Sequence, residues 1–297
     1  MNMQRSREVG GQGRVPGRAS PGSGLGRCFA SVPRGNAWWA TLLVVPLLGL
    51  LAAQAVLLSR RYGASPALAP VDVTVAPSGR ALVSETAVEL AAFGDSAMAG
   101  VGVHHVDDSL PVQLAQRVAD ATQRPVHVVG YALAGARTLD VLTHQLPGVR
   151  RRPDVSVLVV GTNDVTGVTP PAKLARSSRA LLDSLESLGA PVVMSNLPRF
   201  QAMRLVPHPL LEAILGYAAV VGAVQGRAAA KRPLVRLVDV RAAVGPEYFN
   251  DEGTMSADLF HPSAAGYGQI ADALLPAVLS VLRTAQPLGR ASDHQPE

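Results

Sequence analysis

Short runs of Val, Leu and Ala recur near residues 86–93, 126–131, 154–160, 191–196 and 234–240. Helix-like stretches separate them, at about 110–124, 137–147, 170–188 and 209–231, with a last one near 264–284. Pro111 following Asp108 and Ser109, and Thr169 preceding Pro170 and Pro171, are signals for helix starts. Strands that are apolar throughout have no polar face to show to water. Alternating with helices, they predict a parallel sheet covered on both sides. The expected domain spans 86–285 and is a three-layer α/β/α unit with a mostly parallel five-stranded sheet.

The pattern changes upstream of that domain. Residues 37–58, AWWATLLVVPLLGLLAAQAVLL, hold no charge over 22 positions, a helix of about 33 Å and enough for a bilayer core. Trp38 and Trp39 at one end and Tyr62 beyond the other suit the membrane interfaces. The segment reads as a transmembrane anchor; the rival reading is a cleaved signal sequence, since Ala53-Gln54-Ala55 fits a small-x-small cleavage site. The apolar run continues past that site to Leu58, which favours the anchor. Residues 1–36 are Gly, Arg, Ser and Pro with almost nothing apolar, and are expected to form a disordered arm. Residues 59–85, with Pro66, Pro70 and Pro77, read as a linker, and 286–297 as a flexible tail.

Charge bears on partners. The formal net charge of +5 suggests a nucleic-acid binder until the charges are located. Residues 1–61 carry eight Arg and a single acid, Glu8, whereas 62–297 hold 19 Lys and Arg against 21 Asp and Glu. The folded part is nearly neutral, so a groove for phosphate backbones is not indicated. The basic arm tips the flanking charge toward a cytoplasmic N-terminus. A single-pass protein of the cell membrane is expected, its main domain on the non-cytoplasmic side, or secreted if the segment is cleaved. The one cysteine, Cys28, excludes an intramolecular disulfide and a cysteine-based zinc site.

Ligands of open α/β sheets bind outside the carboxyl ends of the strands. The loop after each strand is therefore informative. After the first strand come Gly94, Asp95 and Ser96. After the second comes GYALAGART, with Gly135, and after the third Gly161, Thr162, Asn163 and Asp164. Just before the last helix comes SADLFHPSAAGY, with Asp258 and His261. These loops supply a hydroxyl, a backbone N–H, an amide, and an imidazole near a carboxylate. A serine hydroxyl attacks a carbonyl only when a base removes its proton, and a neutral histidine does so when an acceptor fixes its tautomer. The three-residue spacing lets Asp258 reach Nδ1 of His261 and leaves Nε2 for Ser96. Donors for an oxyanion are then the backbone N–H groups of Ser96 and Gly135 and Nδ2 of Asn163.

FGDSAMAG, LAGART, VGTNDV and DLFHP, in that order, are similar to the four blocks of the SGNH, or GDSL, hydrolases, and the resemblance covers roughly 86–285. It implies a flavodoxin-like SGNH hydrolase fold, Ser96 as nucleophile, Gly135 and Asn163 as oxyanion donors, and Asp258 with His261 as the remaining pair. In the second block the family often has Asn-x-Gly-x-Ser-Gly; here Gly130 to Gly135 keeps only the donor glycine. The expected activity is hydrolysis of acyl esters by a membrane-tethered serine esterase acting on lipid-like substrates. A thioesterase, an O-acetyl esterase or an acyltransferase would use the same triad, and a non-catalytic tethered module is a further alternative. No cofactor or metal is required.

Other residues carry structural readings. Asp95 is expected to cap its turn and Asp164 to organise its loop. His104, His105, Asp107 and Asp108 are expected in a solvated loop, His127 and His208 in structural roles. Met203, Leu205, Val206, Leu210 and Leu211 line an acyl pocket or lid, or form an ordinary helix face. The chain has no Gly-x-Ser-x-Gly, Walker A or His-Glu-x-x-His sequence.

Overall fold

The computed structural model describes residues 38–62, 67–81, 86–198, 200, 206–244 and 251–285. The chain divides into units Met1–Val45 and Pro46–Glu297, and the sheet and its covering helices belong to the second. The arm at 1–36, including Cys28, the tail at 286–297 and the candidate lid residues Met203 and Leu205 lie outside the described residues.

The sheet has six strands: β1 Asp72–Val75, β2 Val88–Gly94, β3 Val126–Gly130, β4 Val155–Val159, β5 Val192–Ser195 and β6 Val235–Val238. Their order is β1-β3-β2-β4-β5-β6. The five expected strands are parallel throughout. One correction concerns the linker at 59–85. Its residues Asp72–Val75 form a sixth strand, antiparallel to β3 with Asp72 opposite Val129, so the sheet is six-stranded and mixed. This strand is short and half exposed. β3 would otherwise be an edge with unpaired backbone groups, and β1 covers it. His127 on β3 is held between Glu89 and Asp72, at 2.7 and 2.8 Å, and so ties three strands together.

Successive residues of a strand face opposite sides. Val88, Leu90 and Ala92 of β2 enter one core with Val126, Val128, Val155 and Val157, under the helix Leu110–Thr122 and the long C-terminal helix, Ala264–Ala285. Ala91 and Phe93 enter a second core with Leu158, Val192 and Met194, under Leu181, Leu182 and Leu185 of the helix Pro171–Ser187. A third cluster packs Leu174, Leu197, Phe200, Val206 and Leu210 against the helix Leu210–Ala229. An apolar helix spans Trp38–Tyr62. By length and composition alone, two described helices are long and apolar enough to cross a membrane, within Leu210–Ala229 and Ala264–Thr284, and both pack in this domain.

β2 pairs with β3 on one side and β4 on the other, so the chain direction across the sheet reverses there. This switch point opens a crevice at the carboxyl ends of β2 and β4. Gly94 is the last residue of β2, at that edge. Its φ is +152°, and a Cβ there would lie 2.0 Å from the Val159 carbonyl oxygen. Gly94 N–H donates to Gln145 Oε1 at 3.0 Å, while its carbonyl accepts from Gln145 Nε2 at 2.7 Å. Gly94→Ala has to push β4 away from β2, and we expect it to lower stability by about 3 kcal/mol, the upper part of the range for overpacking; urea unfolding of the two proteins measures it.

Candidate active site

Beyond Gly94 the chain turns sharply. Asp95 N–H donates to the Val159 carbonyl at 3.1 Å, keeping the turn against the end of β4. Asp95 Oδ1 accepts from Ala97 N–H at 3.2 Å, and Ala99 and Val101 N–H donate back to the Asp95 and Ser96 carbonyls. Ser96 is held half-buried at the top of this turn. Gly102 lets it dock on the segment before the last helix, since a Cβ at 102 would stand 2.6 Å from the Pro262 carbonyl.

That segment presents the histidine. His261 is 9% exposed, and its Nε2 lies 3.0 Å from Ser96 Oγ. Its Nδ1 lies 2.7 Å from Asp258 Oδ2. Asp258 Oδ1 accepts three further hydrogen bonds, from Ser256 Oγ at 2.7 Å and from the N–H groups of Phe260 and His261 at 2.8 Å each. Leu259 adopts a φ of +55° so that the chain can fold back around the carboxylate. Burial alone would raise the Asp258 pKa. The hydrogen bonds from the His261 ring, the His261 and Phe260 backbone and Ser256 outweigh it and hold the carboxyl well below the usual range. An ionised carboxylate only accepts, so Nδ1 carries the proton. In the neutral ring Nε2 is then the acceptor and Ser96 Oγ–H the donor.

The second loop is tied both to the end of β2 and to the third loop. Leu133 N–H donates to the Gly94 carbonyl at 3.3 Å, and Asn163 Nδ2 donates to the Ala136 carbonyl at 3.1 Å. Asp164 is buried, and its Oδ2 accepts from both N–H and Oγ1 of Thr138, at 2.9 and 2.7 Å. Gly135 has a φ of +81°, a conformation that favours glycine, and a Cβ there would meet nothing within 4 Å. The structure thus brings Ser96, His261 and Asp258 into direct contact and sets Asn163 beside the Gly135 loop. An amide carries two N–H donors, and one of those of Asn163 serves the loop.

A pocket adjoins Ser96 and His261, walled by Leu110, Val159, Val240, Met255, Phe260 and Ile270. Gly135 and Asn163 are not among its described lining residues. Leu210 and Leu211 begin the helix Leu210–Ala229 and lie on its packed face: Leu210 is buried in the third core cluster with Phe200 and Val221, and Leu211 packs against it; Val206, before the helix, is buried in the same cluster. Sequence reasoning missed Asn196, Asp239 and Arg241. Asn196 follows β5 as Ser96 follows β2; the same rule of looking past each strand would have found it. Among the described residues, no three or more His, Cys, Asp or Glu side chains gather as a metal site. His104 and His105 are exposed, and His208 pairs with Glu212.

Residues 92–269 match the GDSL-like lipase/acylhydrolase family. A GDSL-like esterase of Mycobacterium tuberculosis is 27% identical over 202 residues, 66% of this chain and 63% of that protein, so the chain spans less than two thirds of its relative. Two solved structures share the fold. The psychrotrophic esterase EstA from Pseudoalteromonas sp. is 15% identical, with a TM-score of 0.52 over 66% of this chain and 98% of its own. The enzyme LAE5 from a Lake Arreo metagenome is 18% identical, with a TM-score of 0.51 over 68% of this chain and 98% of its own. With its α/β fold and a family match that covers more than half its length, the chain belongs to the GDSL-like lipase/acylhydrolase family.

Proposed function

We propose that the protein is a serine esterase that hydrolyses acyl esters through Ser96, His261 and Asp258. One observation carries this reading: Ser96 Oγ is 3.0 Å from His261 Nε2, while the other ring nitrogen is 2.7 Å from Asp258. In this reading Nε2 takes the hydroxyl proton as Oγ attacks the ester carbonyl. Asp258 holds the ring in the required tautomer and stabilises the imidazolium that forms. The carbonyl oxygen becomes an oxyanion, received by the N–H groups of Ser96 and Gly135 and by Nδ2 of Asn163. Collapse of the tetrahedral species returns the proton from His261 to the leaving alcohol and leaves Ser96 acylated. Water, deprotonated by the same ring, then releases the acid.

The substrate end of the reading is a lipid-like acyl ester. It is supported by the apolar wall beside Ser96 and His261 and by the uncharged segment 37–58, which would tether the enzyme to a membrane and its domain to the non-cytoplasmic side. The activity agrees with the name of the mycobacterial relative, an esterase. Hydrolysis of p-nitrophenyl esters from acetate to palmitate by the full chain in detergent tests the reading. Activity rising with chain length supports it, and absence of turnover on every ester refutes it. Asn163→Ala should lower kcat on the best ester by about 10²–10³-fold with little change in KM, the usual effect of deleting an oxyanion donor; steady-state kinetics check it, and an unchanged kcat would remove Asn163 from the oxyanion site.

A further inference from the structure

The pocket beside Ser96 and His261 is apolar over most of its wall, yet Arg241 stands in it, the single Lys or Arg among its described lining residues. Arg241 lies on the one-turn helix Val240–Ala243. That turn is pinned in place. Asp239 Oδ1 accepts from Ala242 N–H at 3.2 Å and from Asn196 Nδ2 at 2.5 Å, and Asn196 Oδ1 accepts from Val240 N–H at 3.1 Å. The backbone that carries Arg241 is thus fastened to the end of β5, and its position relative to Ser96 is set by the sheet.

The same bonds occupy Asp239, the acidic residue paired most closely with Arg241. The separation from Arg241 Nε to Asp239 Oδ1 is 3.8 Å, beyond a hydrogen bond, and both side chains are about half exposed. A pair of that kind contributes little. A guanidinium offers five N–H donors in a planar fork that matches a carboxylate or a phosphate. Beside an apolar wall such a group favours a ligand that brings a negative charge with its hydrocarbon, because either charge alone would be costly to dehydrate there.

We propose that Arg241 is a specificity-determining residue that seats an anionic group, carboxylate or phosphate, of an acyl ester whose hydrocarbon fills the apolar pocket. The inference rests on the esterase reading of Ser96. The anion belongs either to the far end of the acyl chain or to the alcohol. Two substrate pairs separate these sources: mono-p-nitrophenyl glutarate against p-nitrophenyl butyrate, and lysophosphatidylglycerol against monoacylglycerol of the same chain length.

The full chain and its Arg241→Ala, Arg241→Glu and Arg241→Lys variants are assayed on both pairs, with thermal melting to verify folding. In one pair, the ratio of anionic to neutral kcat/KM should fall about tenfold in Arg241→Ala, through KM, in keeping with loss of a charged hydrogen bond. It should fall further in Arg241→Glu and recover in part in Arg241→Lys. Whichever pair responds identifies the end of the ester that bears the charge. Ratios that stay constant in both pairs, in folded variants that still hydrolyse the neutral esters, overturn the role of Arg241 and leave the esterase reading standing. A wild-type chain inactive on all four esters, with Ser96 unlabelled by a fluorophosphonate, overturns both.

Discussion

Ser96→Ala should remove ester hydrolysis by the full chain, with kcat falling on the order of 10⁶-fold, as when the nucleophile of a serine hydrolase is deleted. In the proposed mechanism the size follows from the way the three groups act together. Without Oγ there is no covalent intermediate, and the base Nε2 of His261 has no proton to take. The remaining catalysis comes from oxyanion donors and binding alone. His261→Ala should cost about as much, and the double variant little more, since the groups work as a unit. Substrate affinity should survive, because the apolar wall proposed to hold the substrate, from Leu110 to Ile270, is untouched. Stability should change little, as the hydroxyl is half-buried and bonds to the His261 ring, which keeps its bond to Asp258. Single-turnover assays and a melting curve on purified Ser96→Ala test this. Residual activity within tenfold of wild type would show that the ester is cleaved elsewhere.

Asp95→Asn should stabilise the protein, and the gain should grow with pH. Asp95 is only 3% exposed, and burial pushes its carboxyl up to about 7. The hydrogen bond from Ala97 opposes that rise, and the charge of Asp164 adds to it. Asp164 Oδ1 is itself buried without a hydrogen-bond partner, so its charge is only partly offset by the two bonds from Thr138 to Oδ2. The sign is that of a raised acid. Between the ordinary value of 3.8 and about 7, the unfolded chain has lost a proton that the folded chain still holds. Stability therefore decreases as pH rises through that window and stays reduced above it. At 1.36 kcal/mol per unit, the full effect is about 4 kcal/mol at most. Asparagine keeps the shape and the oxygen that accepts from Ala97, and cannot ionise. Its advantage in urea unfolding should be a few kcal/mol at pH 8 and should shrink toward pH 4. A gap that does not vary with pH would mean that Asp95 is not the ionising group. Asp95 thus has an electrostatic burden of its own, separate from the role proposed for its neighbour Ser96.

How much of this is legible from the chain alone differs by element. β2, β4 and β5 announce themselves because they are almost wholly buried, and such burial calls for a mainly apolar run; β3 and β6, which carry His127 and Arg236, are partly exposed and are legible through their valines. Asp72–Val75 announces nothing: DVTV is short, lies between Pro70 and Pro77, and is half exposed. Its pairing is decided by the open edge of β3. The glycines and polar residues after β2, β3 and β4 are legible through position, since the carboxyl edge of a parallel sheet is where a ligand meets the chain. Asp258 and His261 are legible through spacing, three residues being enough for a carboxylate to reach a ring. Asn196 is legible by the same rule of position, since it lies just past β5; Arg241 is not, because it looks ordinary until the fold places it in the pocket that Ser96 also lines.

The sequence by itself determined the strand–helix alternation, the polar loops at the strand ends, the pairing of Asp258 with His261 and the family. These rest on local periodicity and short-range reach. Only the tertiary structure decided the sixth strand, the 3.0 Å approach of His261 to Ser96 across 165 positions, the burial that raises Asp95, and the cation in an apolar wall. Each of those depends on which distant segments exclude water from one another, and that is settled when the sheet closes under its helices.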